Sequence, residues 1–186
     1  MFSRRTAFAA MASFGLLIGT PAYAQSEAPA GPILLTVTGA VENANRGGYD
    51  PDTDKFFGYN EVDFAKGAQF EYGALTDLEV VKIKADFPKG GDVHEYEGPL
   101  LVDVLKAAGA EGDTVTIQAL DGYAVEMPLA EAVANGAVVA LKRNGEPLSI
   151  GGFGPTHVVF PRADRADLAD MPDDNWIWSI FHIKVE

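Results

Sequence analysis

The chain has 186 residues, with 14 Lys and Arg against 27 Asp and Glu, a net charge of −13 at pH 7, and no cysteine. The absence of cysteine excludes disulfides, thiolate metal ligands, cysteine nucleophiles and c-type haem attachment. The acidic charge argues against nucleic acid and anionic membranes as partners.

The first 24 residues have the pattern of a signal peptide. Arg4 and Arg5 precede an apolar run at residues 7–19, and the small-residue site Ala22-Tyr23-Ala24 follows. That run is shorter than the roughly 20 residues that a membrane-spanning helix needs. We therefore predict cleavage near Ala24, no membrane insertion, and a periplasmic or secreted protein; a retained membrane anchor is the alternative. Cleavage leaves 12 Lys and Arg against 27 Asp and Glu, a net charge of −15.

Beyond residue 24, composition and periodicity predict a flexible leader at 25–31 and one folded domain at 32–186. Period-two runs predict strands, apolar residues at i, i+3, i+4 and i+7 predict a helix, and Asp-Gly and Asn-Gly dipeptides predict hairpin turns. The fold class is α+β, with mixed, mostly antiparallel sheets and two or three short helices. In chain order the predicted elements are a strand at 33–38, a long ordered loop at 42–66, a strand at 79–85, a helix at 99–108, strands at 115–120 and 123–127, a helix at 128–134, and strands at 138–142, 147–150, 156–160 and 176–185.

The long loop contains the spacing of a calcium-binding loop. Its first, third, fifth and twelfth places are Asp50, Asp52, Asp54 and Glu61, a spacing that lets one loop surround a cation with carboxylates. Lys55 stands where the sharp turn of such a loop needs glycine, and no helix pattern precedes it. The alternative is an acidic surface turn, because a chain this acidic produces such spacings by composition alone.

Arg46, at the start of the same loop, is one of few cations in the chain. It pairs with a neighbouring carboxylate, or it clamps an oxyanion through two hydrogen bonds. Arg162 and Arg165 follow a later strand and flank a cleft mouth, or they form solvated salt bridges.

Four later segments, in order, carry a family resemblance: YEGPLLVDVLKAAGA, VTIQALDGYAVEMPLAEA, VVALKRNGEPLSIGGFGPTHVVFP and WIWSIFHIKV. They resemble the oxidoreductase molybdopterin-binding domain, the catalytic domain of the sulfite oxidase family. The opening LLTVTGAVENANRGGYD is similar to the start of its small exported single-domain members. The resemblance covers roughly residues 33–185. It implies a compact α+β domain in which a pterin dithiolene carries molybdenum and a cysteine thiolate completes the coordination.

This chain departs from the family at the thiolate. The family's cysteine lies after the second predicted strand, which here ends near Asp86, Phe87 and Pro88. A carboxylate is not a substitute, because metal preference follows ligand softness. The resemblance therefore implies a fold without its usual thiolate-molybdenum chemistry, although molybdopterin binding through the pterin and phosphate alone stays open.

Six residues are candidates for binding the cofactor or a similar ligand. Gly152 and Gly154 let backbone N–H groups approach a phosphate or pterin, or they simply form a tight bend. His157 follows, where many family members carry Arg or an aromatic residue; a structural histidine is the alternative. Tyr123 lines a pocket with Trp176 and Trp178, or all three belong to the core. The six candidates are Arg46, Phe87, Tyr123, Gly152, Gly154 and His157.

The function predicted from these observations is that of an exported ligand-binding or accessory domain. Its ligand is a small anionic or pterin-like molecule, and its partner is a membrane sensor or a redox protein. Two alternatives stay open. One is a molybdopterin-dependent oxidoreductase whose molybdenum is held by the dithiolene alone, and the other is a calcium-stabilised structural or interaction protein.

Overall fold

The computed structural model describes residues 31–186, so the predicted signal peptide at 1–24 and the leader up to residue 30 lie outside the described residues. The helices are α1 (Lys55–Tyr59), α2 (Tyr72–Thr76), α3 (Leu101–Ala107) and α4 (Leu129–Ala134), with a 3-10 turn at Ala166–Leu168. The strands are β1 (Ile33–Gly39), β2 (Arg46–Gly47), β3 (Lys66–Glu71), β4 (Val80–Ala85), β5 (His94–Pro99), β6 (Thr114–Ala119), β7 (Ala124–Pro128), β8 (Val138–Ala140), β9 (Lys142–Arg143), β10 (Glu146–Pro147), β11 (His157–Val159) and β12 (Ile180–Val185).

The strands form three sheets. The largest has the order β2-β3-β1-β12-β6-β7, the second β10-β9-β5-β4, and the third pairs β11 with β8. Only the pair of β1 with β12 is parallel among the described strands, with Val37 opposite Ile183. The predicted fold class, α+β with mostly antiparallel sheets, is confirmed.

Both predicted hairpin turns are present. Gly122 (φ 89°) connects β6 to β7, and the pair Asn144 (φ 53°) and Gly145 (φ 82°) connects β9 to β10. Two consecutive positive φ angles define a type I′ hairpin turn, and Asn144-Gly145 provides them at little cost.

Outside the predicted loop at 42–66, the strand β3, the helix α2 and the strand β5 were not predicted. Their sequences, KGAQFE, YGALT and HEYEGP, mix charges and glycine with few apolar residues. In β5 the side chain of Tyr96 is fully buried, while Gly98 lies directly against the backbone of Val139. A side chain at residue 98 would collide with that backbone, so glycine here reflects close packing between two sheets. The predicted long loop at 42–66 contains the short elements β2 and α1.

The last predicted strand is shorter than expected, and this corrects the prediction for the tryptophans. Ser179 has φ 53°, so the strand begins only at Ile180. Alternation therefore does not extend back to Trp176 and Trp178. A strand from residue 176, as predicted, would place both tryptophans on one face, whereas Trp176 is buried, at 2% exposure, and Trp178 is 40% exposed.

Helix α3 packs on the core as its periodicity predicts. Leu101, Val104 and Leu105 are buried, and Gly109 (φ 59°) follows the helix end, where a left-handed residue is favoured. The core extends from this helix through β8 and β11 to the large sheet. Within residues 31–186, no helix has the length and apolar character to cross a membrane.

Candidate functional site

A cavity of about 310 Å³ opens beside the segment that follows β4. Phe87 comes from that segment, Asp121 and Tyr123 from the turn between β6 and β7, and the remainder of the wall mainly from the segment before β12. We call it the aromatic cavity. It brings together Phe87 and Tyr123, two of the six residues selected from the sequence. Its lining residues are Phe87, Ala119, Asp121, Tyr123, Asp173, Asp174, Trp176, Ile177 and Trp178.

The aromatic rings of this cavity differ in their exposure. Phe87 stacks on Trp176 with ring centroids 5.5 Å apart and an interplanar angle of 8°. Tyr123 is 52% exposed, and its hydroxyl donates to the Asp174 carbonyl oxygen at 3.2 Å. Trp178 is also open to solvent. The cavity therefore has a packed inner wall and an aromatic rim.

The charged groups of the cavity are all acidic. Among the described residues, its lining includes the carboxylates of Asp121, Asp173 and Asp174 and no Lys or Arg. Asp121 accepts from the Tyr123 amide at 3.0 Å, and Asp173 accepts from Arg162 at 2.8 Å. The Asp174 carboxylate makes no hydrogen bond or ion pair within the described chain. The cavity is thus electrostatically unsuited to the anionic ligand predicted from the sequence.

Arg162 is buried, contrary to the expectation of a solvated salt bridge. Its Nε donates to Asp86 Oδ1 at 2.6 Å, its Nη1 to Asp173 Oδ1 at 2.8 Å, and its Nη2 to the Asp86 carbonyl at 2.7 Å. Its Cζ lies 4.4 Å from the ring centroid of Trp176. Burial raises the pKa of Asp86, but the hydrogen bonds from Arg162 and the Gly90 amide outweigh it, and the pKa is lowered. Asp86 is therefore an ionised partner of Arg162.

His157, at the start of β11, lies one layer behind the cavity. Its ring is fully buried, 4.9 Å from Phe87 and 5.5 Å from Phe153 between centroids. Burial is the main cause that lowers its pKa to about 3. The nearby Trp176 backbone partly opposes this shift, although neither ring nitrogen forms a hydrogen bond within the described residues. His157 is therefore neutral at physiological pH.

Three buried polar side chains in this region lack hydrogen-bond partners among the described residues. The unpaired atoms are both ring nitrogens of His157, the Tyr96 hydroxyl oxygen and the Trp176 indole nitrogen. The ring of Tyr96 lies 5.9 Å from that of His157. Buried polar atoms are normally paired with protein or water, so this cluster is unusual.

The glycine-rich loop forms a bend. The amides of Gly152 and Gly154 both donate to the Ser149 carbonyl at 3.1 Å. A Cβ at Gly154 would lie 2.5 Å from the Leu148 carbonyl carbon, so the backbone packs too closely there for a side chain. Neither amide is free for a phosphate, and a cofactor role for the two glycines stays a prediction.

Arg46 is paired with a neighbouring carboxylate, the simpler of its two predicted roles. Its Nη2 lies 2.5 Å from Asp54 Oδ2, and its Cζ is 4.8 Å from the Phe64 ring centroid. The hydrogen bond from Arg46 is the main cause that lowers the pKa of Asp54. Arg46 also lines a second cavity of about 300 Å³, which lacks the other five selected residues.

The predicted calcium ligands do not converge. Asp54 is bound by Arg46 and accepts from the Asp50 amide at 2.9 Å, while Asp50 accepts from the Asp52 amide at 2.8 Å. Within residues 31–186, no three His, Asp or Glu side chains are grouped to hold a metal ion. The geometry is that of an acidic turn closed by its own hydrogen bonds, and calcium binding stays a prediction.

The residues present do not fit a molybdenum centre held by a protein thiolate. The chain has no cysteine. At the position where the family resemblance places the ligand, Asp86 is engaged by Arg162 and Phe87 is stacked on Trp176. The adjoining cavity is acidic, whereas a pterin cofactor carries a phosphate. Among the described residues, the unpaired buried atoms of His157, Tyr96 and Trp176 are a feature that a polar ligand would satisfy.

Comparison with known proteins supports the family resemblance and the fold. Residues 82–163 match the family described as oxidoreductase molybdopterin binding domain. Among solved structures, the sulfane dehydrogenase SoxCD from Paracoccus pantotrophus matches with a TM-score of 0.55 and 16% identity, over 81% of this chain and 37% of that chain. The chain thus spans well under half of that structure. No curated protein sequence matches.

These matches confirm what the sequence segments indicated. Residues 82–163 are similar to the molybdopterin-binding oxidoreductase domain family, and the fold of the chain is similar to the sulfite-oxidase-type fold of the sulfane dehydrogenase. The matched segment includes Phe87, Tyr123, Gly152, Gly154 and His157 and ends just after Arg162.

Sequence reasoning missed three acids that line the cavity, Asp121, Asp173 and Asp174, and it named Arg162 without its buried partner Asp86. Asp121 was recognised only as part of a hairpin turn. Arg162 lies 76 residues from its partner Asp86, so no local pattern connects them. One signal was available, because the motif DDNWIW places acids directly beside two tryptophans.

Proposed function

We propose that this protein is an exported ligand-binding or accessory domain that keeps the molybdopterin-domain fold without thiolate-molybdenum chemistry. One observation carries the proposal. Where the family resemblance places a cysteine, Asp86 is tied into a buried ion pair with Arg162 and Phe87 stacks on Trp176. The Asp86 carboxylate is engaged by Arg162 and the Gly90 amide, and Phe87 has no donor atom, so this position offers no free metal ligand.

The accessory role follows from the cavity and the signal-peptide pattern. An aromatic, solvent-open cavity of about 310 Å³ is within the size range of small-molecule sites. A domain exported by its predicted leader would present this cavity to solutes outside the cytoplasm. We propose that ligand occupancy is read by a membrane sensor or a redox partner.

A molybdopterin-dependent oxidoreductase is the second candidate. The observation that favours it is the cluster of unpaired buried groups of His157, Tyr96 and Trp176. A pterin edge could pair with such donors and acceptors, since orphaned buried polar groups are costly. In such an oxidoreductase, the pterin dithiolene alone would hold the molybdenum.

The two candidates differ in metal content. The full-length sequence should be expressed in a bacterial host that makes the molybdenum cofactor, and the purified protein examined for molybdenum by mass spectrometry and for pterin by fluorescence. We expect far less than one molybdenum per chain. The intact mass, measured on the same sample, should correspond to cleavage after Ala24. One molybdenum and one pterin per chain would instead establish the oxidoreductase.

A further inference from the structure

The aromatic cavity combines features that suit one class of ligand. We propose that it binds a small organic cation, such as a quaternary or primary ammonium compound, between the exposed rings of Tyr123 and Trp178 and the carboxylates of Asp121 and Asp174. This inference deepens the proposed function, on which it rests, by naming the chemical class of the ligand.

Charge is the first argument. Among the described residues, the lining contains three carboxylates and no basic side chain. Asp173 is neutralised by Arg162, but Asp174 has no ion-pair partner within residues 31–186 and is exposed. Carboxylates that share a concave site lower the potential within it, which attracts a cation and repels an anion.

The aromatic side chains provide the second argument. The faces of Trp and Tyr attract cations through the ring quadrupole, most strongly for weakly hydrated organic ammonium groups. Tyr123 and Trp178 are 52% and 40% exposed, which is high for such large side chains beside a cavity. The Tyr123 hydroxyl donates to the Asp174 backbone carbonyl at 3.2 Å, which holds the ring next to the residue that carries the carboxylate.

The protein already surrounds one of its own cationic side chains, Arg162, with an aromatic ring and carboxylates. The Arg162 guanidinium lies 4.4 Å from the centroid of Trp176 and pairs with Asp86 and Asp173. That inner site is closed and is occupied by the protein's own side chain. The outer part of the cavity repeats the combination of aromatic ring and carboxylate with Tyr123, Trp178 and Asp174, but leaves it open to solvent.

The indole N–H of Trp176 adds a feature to the expected ligand. It is buried, unpaired among the described residues, and belongs to a ring that lines the cavity. A ligand that carries a hydroxyl or carbonyl oxygen beside its ammonium group could accept this hydrogen bond. Choline has both groups and is a suitable probe.

The test is calorimetric titration of protein purified from a host that lacks the molybdenum cofactor. The probes are choline, its neutral carbon isostere, and inorganic phosphate. We expect choline to bind, and the isostere and phosphate to give no measurable heat. Equal binding of choline and the isostere, binding of phosphate in preference to choline, or no binding of choline would overturn the inference.

Variants locate the site. Trp178→Leu and Asp174→Asn should each weaken choline binding by about fivefold or more, the size expected for one cation–π or one carboxylate contact. The matched controls are Tyr59→Leu and Asp77→Asn, which alter an exposed aromatic residue and an exposed acid outside the cavity. Circular dichroism checks folding, and Tyr123→Leu replaces Trp178→Leu if that variant unfolds. Control variants that weaken binding as much as the cavity variants would overturn the assignment.

Failure of this inference is distinguishable from failure of the proposed function. Protein that contains no molybdenum and does not bind choline would overturn only the organic-cation site. Stoichiometric molybdenum would overturn the proposed function, whereas the titration of cofactor-free protein still decides whether the cavity recognises cations.

Discussion

Single side chains decide how this chain differs from a thiolate-bearing domain, and Arg162 is the most consequential. It is 4% exposed and pairs with both Asp86 and Asp173. Removing one member of a buried ion-pair group leaves the others charged and unpaired, which costs more than the pair itself contributes. The ion pair of Arg162 with Asp86 therefore stabilises the position of the segment that carries Phe87.

Arg162→Met should lower the free energy of unfolding by about 3–5 kcal/mol at pH 7, because Asp86 and Asp173 lose their shared partner. Urea denaturation measures the loss, and Arg165→Met, which alters a more exposed arginine paired with Asp167, should give a much smaller one.

The pH dependence gives a second check on Arg162→Met. The lowered pKa of Asp86 means that its contribution is present above its unfolded value near 3.8 and is lost as pH falls through the folded value. In the variant the unpaired carboxylate is penalised instead, so the stability deficit should shrink as pH falls toward 4. A deficit that is small, or that does not change with pH, would contradict this role.

His157 provides a separate test at the residue scale. Its folded pKa of about 3 lies below the unfolded value of 6.5, so the unfolded chain takes up the proton first. The contribution of the neutral ring is complete above pH 6.5 and is lost as pH falls toward 3. His157→Phe should therefore reduce the acid sensitivity of stability across that window.

The same variant tests whether the unpaired ring nitrogens have a partner. Replacing an unpaired polar ring with an apolar ring of similar shape should leave stability at pH 7 unchanged or raise it. A loss of about 1–3 kcal/mol in thermal or urea unfolding would show that the ring nitrogens bind water or a ligand.

At the scale of elements, prediction succeeded where the pattern was local. Strands β1, β6 and β7 alternate or are rich in β-branched residues, and α3 has one apolar face, so each was found close to its observed position. Strands β3 and β5 were missed because their burial comes from sheet neighbours. Tyr96 and Gly98 of β5, for example, are buried by segments more than 40 residues away.

The acidic turn at residues 50–61 has the carboxylate spacing of a calcium-binding loop, but its carboxylates do not converge on a common point. Its carboxylates accept hydrogen bonds from Arg46 and from the turn's own amides. We expect the thermal midpoint of the protein to be the same in millimolar calcium as in chelator, with magnesium as the control. A midpoint that rises specifically with calcium would indicate a site, because a ligand that binds only the folded state stabilises it.

The candidate site was predictable in part, and the reason lies in sequence separation. The family resemblance drew attention to Phe87, and aromatic composition to Tyr123, and both line the aromatic cavity. The acids opposite them become neighbours only when the turn after β6 meets the segment before β12, some 50 residues later. Apart from the acids of the motif DDNWIW, no local pattern therefore indicated the charge of the cavity, which is the basis for proposing a cationic rather than an anionic ligand.

At the scale of the whole molecule, a sulfite-oxidase-type fold carries a site whose residues differ from those of a thiolate-molybdenum centre. A fold hosts many functions, and function depends on the groups in the site. Here a buried arginine, a stacked phenylalanine and an acidic cavity occupy the region where the family resemblance places a thiolate and its metal.

The most direct test is a crystal structure of protein prepared in a cofactor-producing host, with diffraction recorded at the molybdenum absorption edge. We expect no anomalous peak in the cleft, Phe87 stacked on Trp176, and Asp86 paired with Arg162. An anomalous peak beside residues 86–88, with Phe87 displaced, would contradict the account.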